Sequence, residues 1–358
     1  MKIAFVNDTF LQGRGADTVI YELARRLGKK NEVYVITSQS DIPEENFKIL
    51  KINIRKLFTG NSLLDAIFYF PNIIKLRRGL LKLQKNYKFD VFNVHHSSLN
   101  LAFRKFLTVV TWHGSPPSTN YIRTIFNRLI LFTLSRNPRS IAISKYIASK
   151  LPKVINSDKI KIIYNGVSEE FKPKSTKGYT DKNYMLYVGR LEKHKCVSEL
   201  IRLSKDLNFP LHIIGSGPEE KYLKNYARKI WANKTIFFGK ISRSALINQY
   251  QECSFFVSAS RWEGFGLIFI EAASCGKPSI AYNLCSIPEV VKNNKTGFLV
   301  KDYEEFKSKA SLLIKNKNLR IEMGKNSLNF SKKFRWEKVC KKYLEEFKKV
   351  KDVVKEKA

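Results

Sequence analysis

The first half of the chain alternates short runs of β-branched and aromatic residues with longer amphipathic stretches. Apolar runs at 2–8, 32–38, 47–54, 89–95, 107–112, 139–143 and 160–164 predict strands, and 16–28, 62–87, 120–136 and 144–150 carry helical spacing. A second alternation opens at Tyr184, with strands predicted at 184–189, 211–215, 235–239, 254–258, 278–282 and 297–300 and helices between them. Strands that alternate with helices build parallel sheets covered on both faces, because a parallel crossover needs a helix-length connection. Between the halves lies a polar stretch containing Pro173, Lys174, Ser175, Gly178 and Asp181, a composition suited to a linker. The chain is thus expected to divide into a domain at 1–170, a linker at 171–183, a domain at 184–335 and a terminal helix at 336–358. That helix is lysine-rich, carries Val339, Tyr343, Phe347 and Val350 on one side, and is a candidate to cross back to the first domain. Two doubly wound domains present the carboxyl ends of their strands to an interdomain cleft, where open α/β sheets bind ligands.

Composition permits this division. The 358 residues are 44% hydrophobic and 13% aromatic, which supplies two cores and excludes a wholly disordered chain. The five cysteines, Cys196, Cys253, Cys275, Cys285 and Cys340, are odd in number and have no C-x-x-C spacing. That argues against a disulfide framework or a cysteine zinc site and suits a reducing cytosol. The chain opens on a strand-like run from Met1 to Asp8 without a basic leader, and no apolar run reaches the roughly 18 residues a membrane span needs. The expectation is a cytoplasmic protein, soluble or peripheral on the cytosolic membrane face.

Charge changes the picture. Lys and Arg number 65 against 31 acidic residues, a net charge of +34 that calls for a polyanionic neighbour. From Asn46 to Ser157 there are 19 cations and two acids, Asp65 and Asp90. Within the helix expected at 62–87, Lys75, Arg78, Lys82 and Lys85 share one side, while Leu76, Leu80, Leu83 and Tyr87 share another. The leucine side reads as core, and the basic side as a face for an anionic membrane surface. Nucleic acid is the competing polyanion, but no RRM, KH or zinc-finger pattern occurs, so it is not favoured. A basic nucleic-acid-binding protein and a non-catalytic ligand-binding protein on the same scaffold stand as the alternatives to an enzyme.

The densest candidate chemistry runs from Ser258 to Gly276. The strand pattern Phe255-Phe256-Val257 ends in a polar loop, after which Glu263-Gly264-Phe265-Gly266-Leu267 is expected to open a helix. Backbone N–H groups at a helix start favour an anion, and glycines let a phosphate approach closely. Glu263 and Glu271 are expected on one side of that helix, about two turns apart, where two carboxylates grip the hydroxyls of an extended ligand. At other strand ends, Gly189-Arg190-Leu191…Lys195 offers a guanidinium and an ammonium, and Gly215-Ser216-Gly217-Pro218 a glycine turn. Such cations suit a diphosphate that gains charge as its bond to a sugar breaks.

These segments occur in a fixed order with Asn165-Gly166-Val167…Phe171, Phe238-Gly239, Gly276-Lys277-Pro278, Pro288-Glu289 and Gly297-Phe298. The set resembles the retaining, nucleotide-sugar-dependent glycosyltransferases of family 4 (glycosyltransferase group 1), which have the GT-B fold. The likeness is strong over about 140 residues from Asn165 to Val300. It continues more weakly through Gly13-Arg14-Gly15-Ala16-Asp17, His95, Thr111-Trp112-His113-Gly114 and Ala142-Ile143-Ser144.

The resemblance implies a division of labour. Glu263 would contact the donor sugar and Glu271 the nucleotide ribose. Arg190 and Lys195 would neutralise the diphosphate together with backbone N–H groups from Gly264, Phe265, Gly266 and Leu267. Gly13 and Gly15 would form a glycine loop facing the phosphates, Gly189 and Gly215 would line the donor, and Gly239 and Lys240 would meet the base. His113 would lie beside the transferred sugar. His95 and His96 follow the preceding strand and read as ordinary hydrogen-bonded residues, with contact to acceptor as the alternative. The first domain would bind the acceptor, a glycan or a lipid-linked one. Three positions depart from the pattern: Cys196 follows Lys195 where glycine is usual, Cys285-Ser286 replaces a glycine pair, and Arg14 stands between Gly13 and Gly15. No Asp-x-Asp occurs at a strand end, so no metal or other cofactor is expected and transfer is expected to rely on fixed cations.

Overall fold

The structure, a computed structural model, describes residues 1–53, 62–95, 99, 102–103, 106–114, 139–151, 156–175 and 180–355, with 62–67 and 353–355 described as backbone only. The helix expected at 120–136 and the candidate His96 lie outside the described residues. The chain forms two units, Met1–Asn165 with Trp336–Ala358, and Gly166–Arg335.

The first unit contains β1 (Lys2–Val6), β2 (Thr9–Phe10), β3 (Glu32–Thr37), β4 (Gln39–Ser40), β5 (Lys48–Lys51), β6 (Val91–Val94), β7 (Thr108–Trp112), β8 (Arg139–Ala142) and β9 (Ile160–Ile162). Seven of these form a parallel sheet in the order β5-β3-β1-β6-β7-β8-β9. Strands such as β7, Thr-Val-Val-Thr-Trp and buried at every position, lack the apolar–polar alternation of a half-solvated sheet because both faces are covered. β2 and β4 pair apart from this sheet; two residues carry no period, which is why sequence reading does not find them. The helix Trp336–Lys355 belongs to this unit and buries Val339, Tyr343, Phe347 and Val350, the stripe expected from spacing. Phe347 meets Phe5 edge-on at 6.3 Å, and Arg139 pairs with the buried Glu346 at 2.9 Å. Each such aromatic or aliphatic burial contributes about 1.5–3 kcal/mol.

Helix Ser62–Tyr87 buries Tyr69, Ile73, Leu76 and Leu80, so the leucine side is core as expected, with Leu83 and Tyr87 half-buried at its edge. The opposite side holds more than cations. Phe70, Ile74 and Leu81 are 51%, 53% and 50% exposed there, beside exposed Lys75, Arg78, Lys82 and Lys85.

The second unit contains β10 (Met185–Val188), β11 (Leu211–Ile214), β12 (Thr235–Gly239), β13 (Phe255–Ser258), β14 (Ser279–Tyr282) and β15 (Gly297–Val300). All pair in parallel in the order β12-β11-β10-β13-β14-β15. This is the Rossmann order, and chain direction across the sheet reverses between β10 and β13. The first unit repeats the reversal between β1 and β6.

The boundary falls at Asn165/Gly166, ahead of the linker expected at 171–183. The described part of that segment is tied to the second unit. Phe171 packs edge-on against Tyr250 at 5.5 Å, and Asp181 meets Arg320 at 2.7 Å with both side chains buried. Burial alone would raise the Asp181 carboxyl, but hydrogen bonds from Ser254, the Asn183 N–H and Arg320 hold it below the usual carboxylate range. A polar composition therefore marks a segment pinned by charge rather than a loose tether.

Candidate active site

β10 and β13 are neighbours whose following helices lie on opposite faces of the sheet, so their carboxyl-end loops open a crevice. Lys195 ends the short turn Lys193–Lys195 after β10, and its Nζ donates to Glu263 Oε1 at 2.7 Å from the loop after β13. The two side chains are 15% and 10% exposed, which shields the pair from much of the solvent screening that weakens surface ion pairs.

Cross-bracing holds these loops. The Arg261 N–H donates to the His194 carbonyl at 2.9 Å. The Arg261 guanidinium lies 2.7 Å from Glu199 and 3.9 Å over the Tyr282 ring, whose hydroxyl donates to the same carboxylate at 2.5 Å. From the loop after β14, Ser286 Oγ donates to the Glu263 carbonyl at 2.9 Å. Glu199, Arg261, Tyr282 and Ser286 are the residues that sequence reasoning missed. Their partners are distant in the chain, and only Ser286, beside the Pro288-Glu289 motif, carries any local signal.

Gly189, Gly215 and Gly239 stand at the ends of β10, β11 and β12 and are joined in sequence, Gly189 N–H to the Ile214 carbonyl at 3.0 Å and Gly215 N–H to the Gly239 carbonyl at 2.8 Å. A Cβ on Gly215 would lie 2.0 Å from the Gly189 oxygen, an approach only glycine permits. Lys240 is exposed beside them.

The expected helix at Glu263 is corrected. It begins at Leu267 and runs to Ser274, behind Gly266 at φ +91°, so Glu263 lies in the preceding loop and only Glu271 is on the helix. Four glycine-rich loop residues cannot enter a helix while Gly266 is left-handed, and the two carboxylates are not stacked two turns apart. Glu271 Oε2 accepts from the Tyr250 hydroxyl at 2.8 Å, and burial together with that carboxylate raises the Tyr250 hydroxyl well above its usual value. Gly264 and Phe265 are buried, Phe265 packing edge-on against Phe334, so only their backbone is available to a ligand. Arg190 is half exposed, and its Nη2 lies 3.0 Å from Glu192 Oε1. The structure therefore joins Lys195 to Glu263 and places Arg190 on Glu192.

The departures from the family pattern have a common geometry. Cys196 has φ +48° and Cys285 φ +54°, so both take the left-handed backbone that favours glycine. Arg14 folds back, its Nη1 donating to Thr9 Oγ1 at 2.8 Å. In the first unit Gly13 has φ +79° and Gly15 opens the helix Gly15–Leu27. His113 follows β7, with its Nε2 2.8 Å from His95 Nδ1.

Two doubly wound parallel sheets with these strand-end loops define a GT-B glycosyltransferase. Sucrose-phosphate synthase from Thermosynechococcus elongatus is similar at a TM-score of 0.82 and 16% identity, covering 98% of each chain. HepE of Anabaena, solved with UDP and glucose, gives 0.77 and 17%, covering 96% of this chain and 98% of that one. Residues 168–352 match the family model described as glycosyl transferases group 1, and 13–171 that of glycosyltransferase family 4. An uncharacterised glycosyltransferase of Methanocaldococcus jannaschii is 30% identical over 329 residues, 89% of this chain and 90% of its own. The chain belongs to the group 1 glycosyl transferases.

The left-handed residues can be tested by substitution. Cys196→Val should lower stability in urea denaturation by about 1–2 kcal/mol, because a β-branched residue tolerates positive φ poorly. Cys196→Gly should stay within about 1 kcal/mol of the parent, relief of strain being offset by the more flexible unfolded chain. Equal losses from both would contradict the backbone geometry.

Proposed function

We propose that the protein transfers a hexose from a nucleotide-diphosphate sugar to a hydroxyl acceptor, with retention at the anomeric carbon and without a metal ion. The observation that carries this reading is the shielded Lys195–Glu263 pair at the β10/β13 reversal. It sets a cation and a hydroxyl-binding carboxylate side by side, as a ligand with a phosphate joined directly to a sugar requires. Of the neighbouring strand-end glycines, Gly239 leaves open space where a Cβ would stand, and HepE's UDP and glucose support a donor of this class.

The bond from the anomeric carbon to the diphosphate oxygen breaks, leaving an oxocarbenium-like centre and adding negative charge to the diphosphate. Lys195 meets that charge, with the N–H groups at the start of the helix Leu267–Ser274, and Arg190 reaches it by leaving Glu192. Preorganised groups of this kind lower a barrier because they need no reorientation as charge develops. Glu263 holds the sugar hydroxyls, Glu271 the ribose and His113 the sugar being transferred. The acceptor oxygen attacks from the face the diphosphate is leaving, and its proton passes to the departing phosphate oxygen.

A lipid-linked acceptor at an anionic bilayer is the finer reading, favoured by the outward face of helix Ser62–Tyr87. Phe70, Ile74 and Leu81 fit the acyl boundary while Lys75, Arg78, Lys82 and Lys85 meet anionic headgroups, each worth about 1 kcal/mol near the surface.

Replacing Lys195 or Arg190 by Ala should reduce turnover of the donor by about 10²-fold or more. Near-normal turnover in both would refute the assignment. In vesicle sedimentation at low salt, the protein should bind phosphatidylglycerol vesicles and not phosphatidylcholine ones. Changing Phe70, Ile74 and Leu81 together to Ser should abolish that binding. Indifference of the parent protein to anionic vesicles, or undiminished binding by the triple variant, would remove the membrane reading.

A further inference from the structure

β6 and β7 are adjacent parallel strands of the first unit, with Asn93 opposite Val109. Where they end, Asn93, His95 and His113 are joined in a series of hydrogen bonds that starts at the Val109 carbonyl. Asn93 Nδ2 lies 2.9 Å from the Val109 carbonyl oxygen and 3.0 Å from Thr111 Oγ1. A carbonyl only accepts, so the amide orientation is settled: the NH2 faces Val109 and the oxygen faces His95. Asn93 Oδ1 is 2.8 Å from His95 Nε2, and an amide oxygen also only accepts, so His95 Nε2 carries a proton.

His95 is buried, with its ring against Phe5 and its backbone N–H on the Val6 carbonyl. Burial first, and the neighbouring His113 second, push its basicity well below that of an ordinary histidine, so the ring is neutral. With the proton on Nε2, the lone pair of His95 sits on Nδ1. That nitrogen is 2.8 Å from His113 Nε2, which must therefore be the donor.

We propose that Asn93 and His95 are positioning residues that lock His113 as its Nε2–H tautomer and make Nδ1 its acceptor nitrogen. The contact survives protonation of His113, because His95 Nδ1 accepts from Nε2–H in either charge state. With its proton fixed on Nε2, the neutral His113 ring keeps a lone pair on Nδ1; charged, it carries a proton there as well. Asn93 and His95 are both buried and act through His113. The consequence for turnover rests on the placement of His113 beside the transferred sugar, whereas the tautomer does not.

The test is long-range proton–nitrogen NMR on the full chain labelled with 15N-histidine, at mildly alkaline pH. His113 signals are assigned by their loss in His113→Ala. The expected spectrum shows Nε2 of His113 protonated and Nδ1 bare, and His95 with the same pattern. A bare Nε2 on His113 in the unaltered protein overturns the proposal without any variant. In His95→Leu the two His113 tautomers should mix, and turnover should fall about tenfold with donor KM little changed. A His113 that keeps its tautomer in His95→Leu overturns the positioning role. Full turnover in a variant whose tautomers have mixed overturns the catalytic consequence, and donor binding through Lys195 is unaffected by that result.

Discussion

The reversal of strand order between β10 and β13 is the constraint on which the rest of the second unit depends. Each strand of a doubly wound sheet sends its next helix to one face, and only at the reversal do neighbouring loops part. Lys195 and Glu263 leave from the two strands on either side of that gap and close on each other at 2.7 Å. Two opposite charges with little exposure would be costly if held apart, so the bracing by Arg261, Glu199, Tyr282 and Ser286 serves the pair as much as the loops. The first unit repeats the reversal at β1/β6.

Two cysteines stand in backbone that favours glycine. Cys196 and Cys285 occupy the left-handed region where a glycine would be expected, and each sits in one of the loops that frame the Lys195–Glu263 pair. A side chain in that region costs about 1–2 kcal/mol, which the hydrogen-bonded loop absorbs. A left-handed turn at these two positions therefore does not require glycine.

The sheets were legible because their signal is local. Runs such as Phe255-Phe256-Val257 and the alternation with helical spacing predict thirteen main-sheet strands at nearly the observed places. The terminal helix is equally local, its stripe at Val339, Tyr343, Phe347 and Val350 being the buried one. The site was legible as a set of residue types at strand ends, but its pairing was not. Nothing in the spacing of Glu263 and Glu271 reveals that Gly266 delays the helix, or that Tyr250 holds Glu271. The Asn93–His95–His113 chain is likewise invisible, because it depends on two strands lying side by side. Helix Ser62–Tyr87 shows the same limit: spacing separates its cations from Leu76 and Leu80 but does not say that Phe70, Ile74 and Leu81 face outward.

The central claim of the proposed function is that the crevice at the end of the second sheet recognises the diphosphate of a donor through Lys195. Calorimetric titration with a nucleoside and with its diphosphate, in the uridine and guanosine series, separates base binding from phosphate binding. The account predicts that the diphosphate of the preferred base binds at least about tenfold tighter than the nucleoside, and that Lys195→Ala erases the difference. A nucleoside that binds as tightly as its diphosphate, or an advantage undiminished in Lys195→Ala, would contradict it.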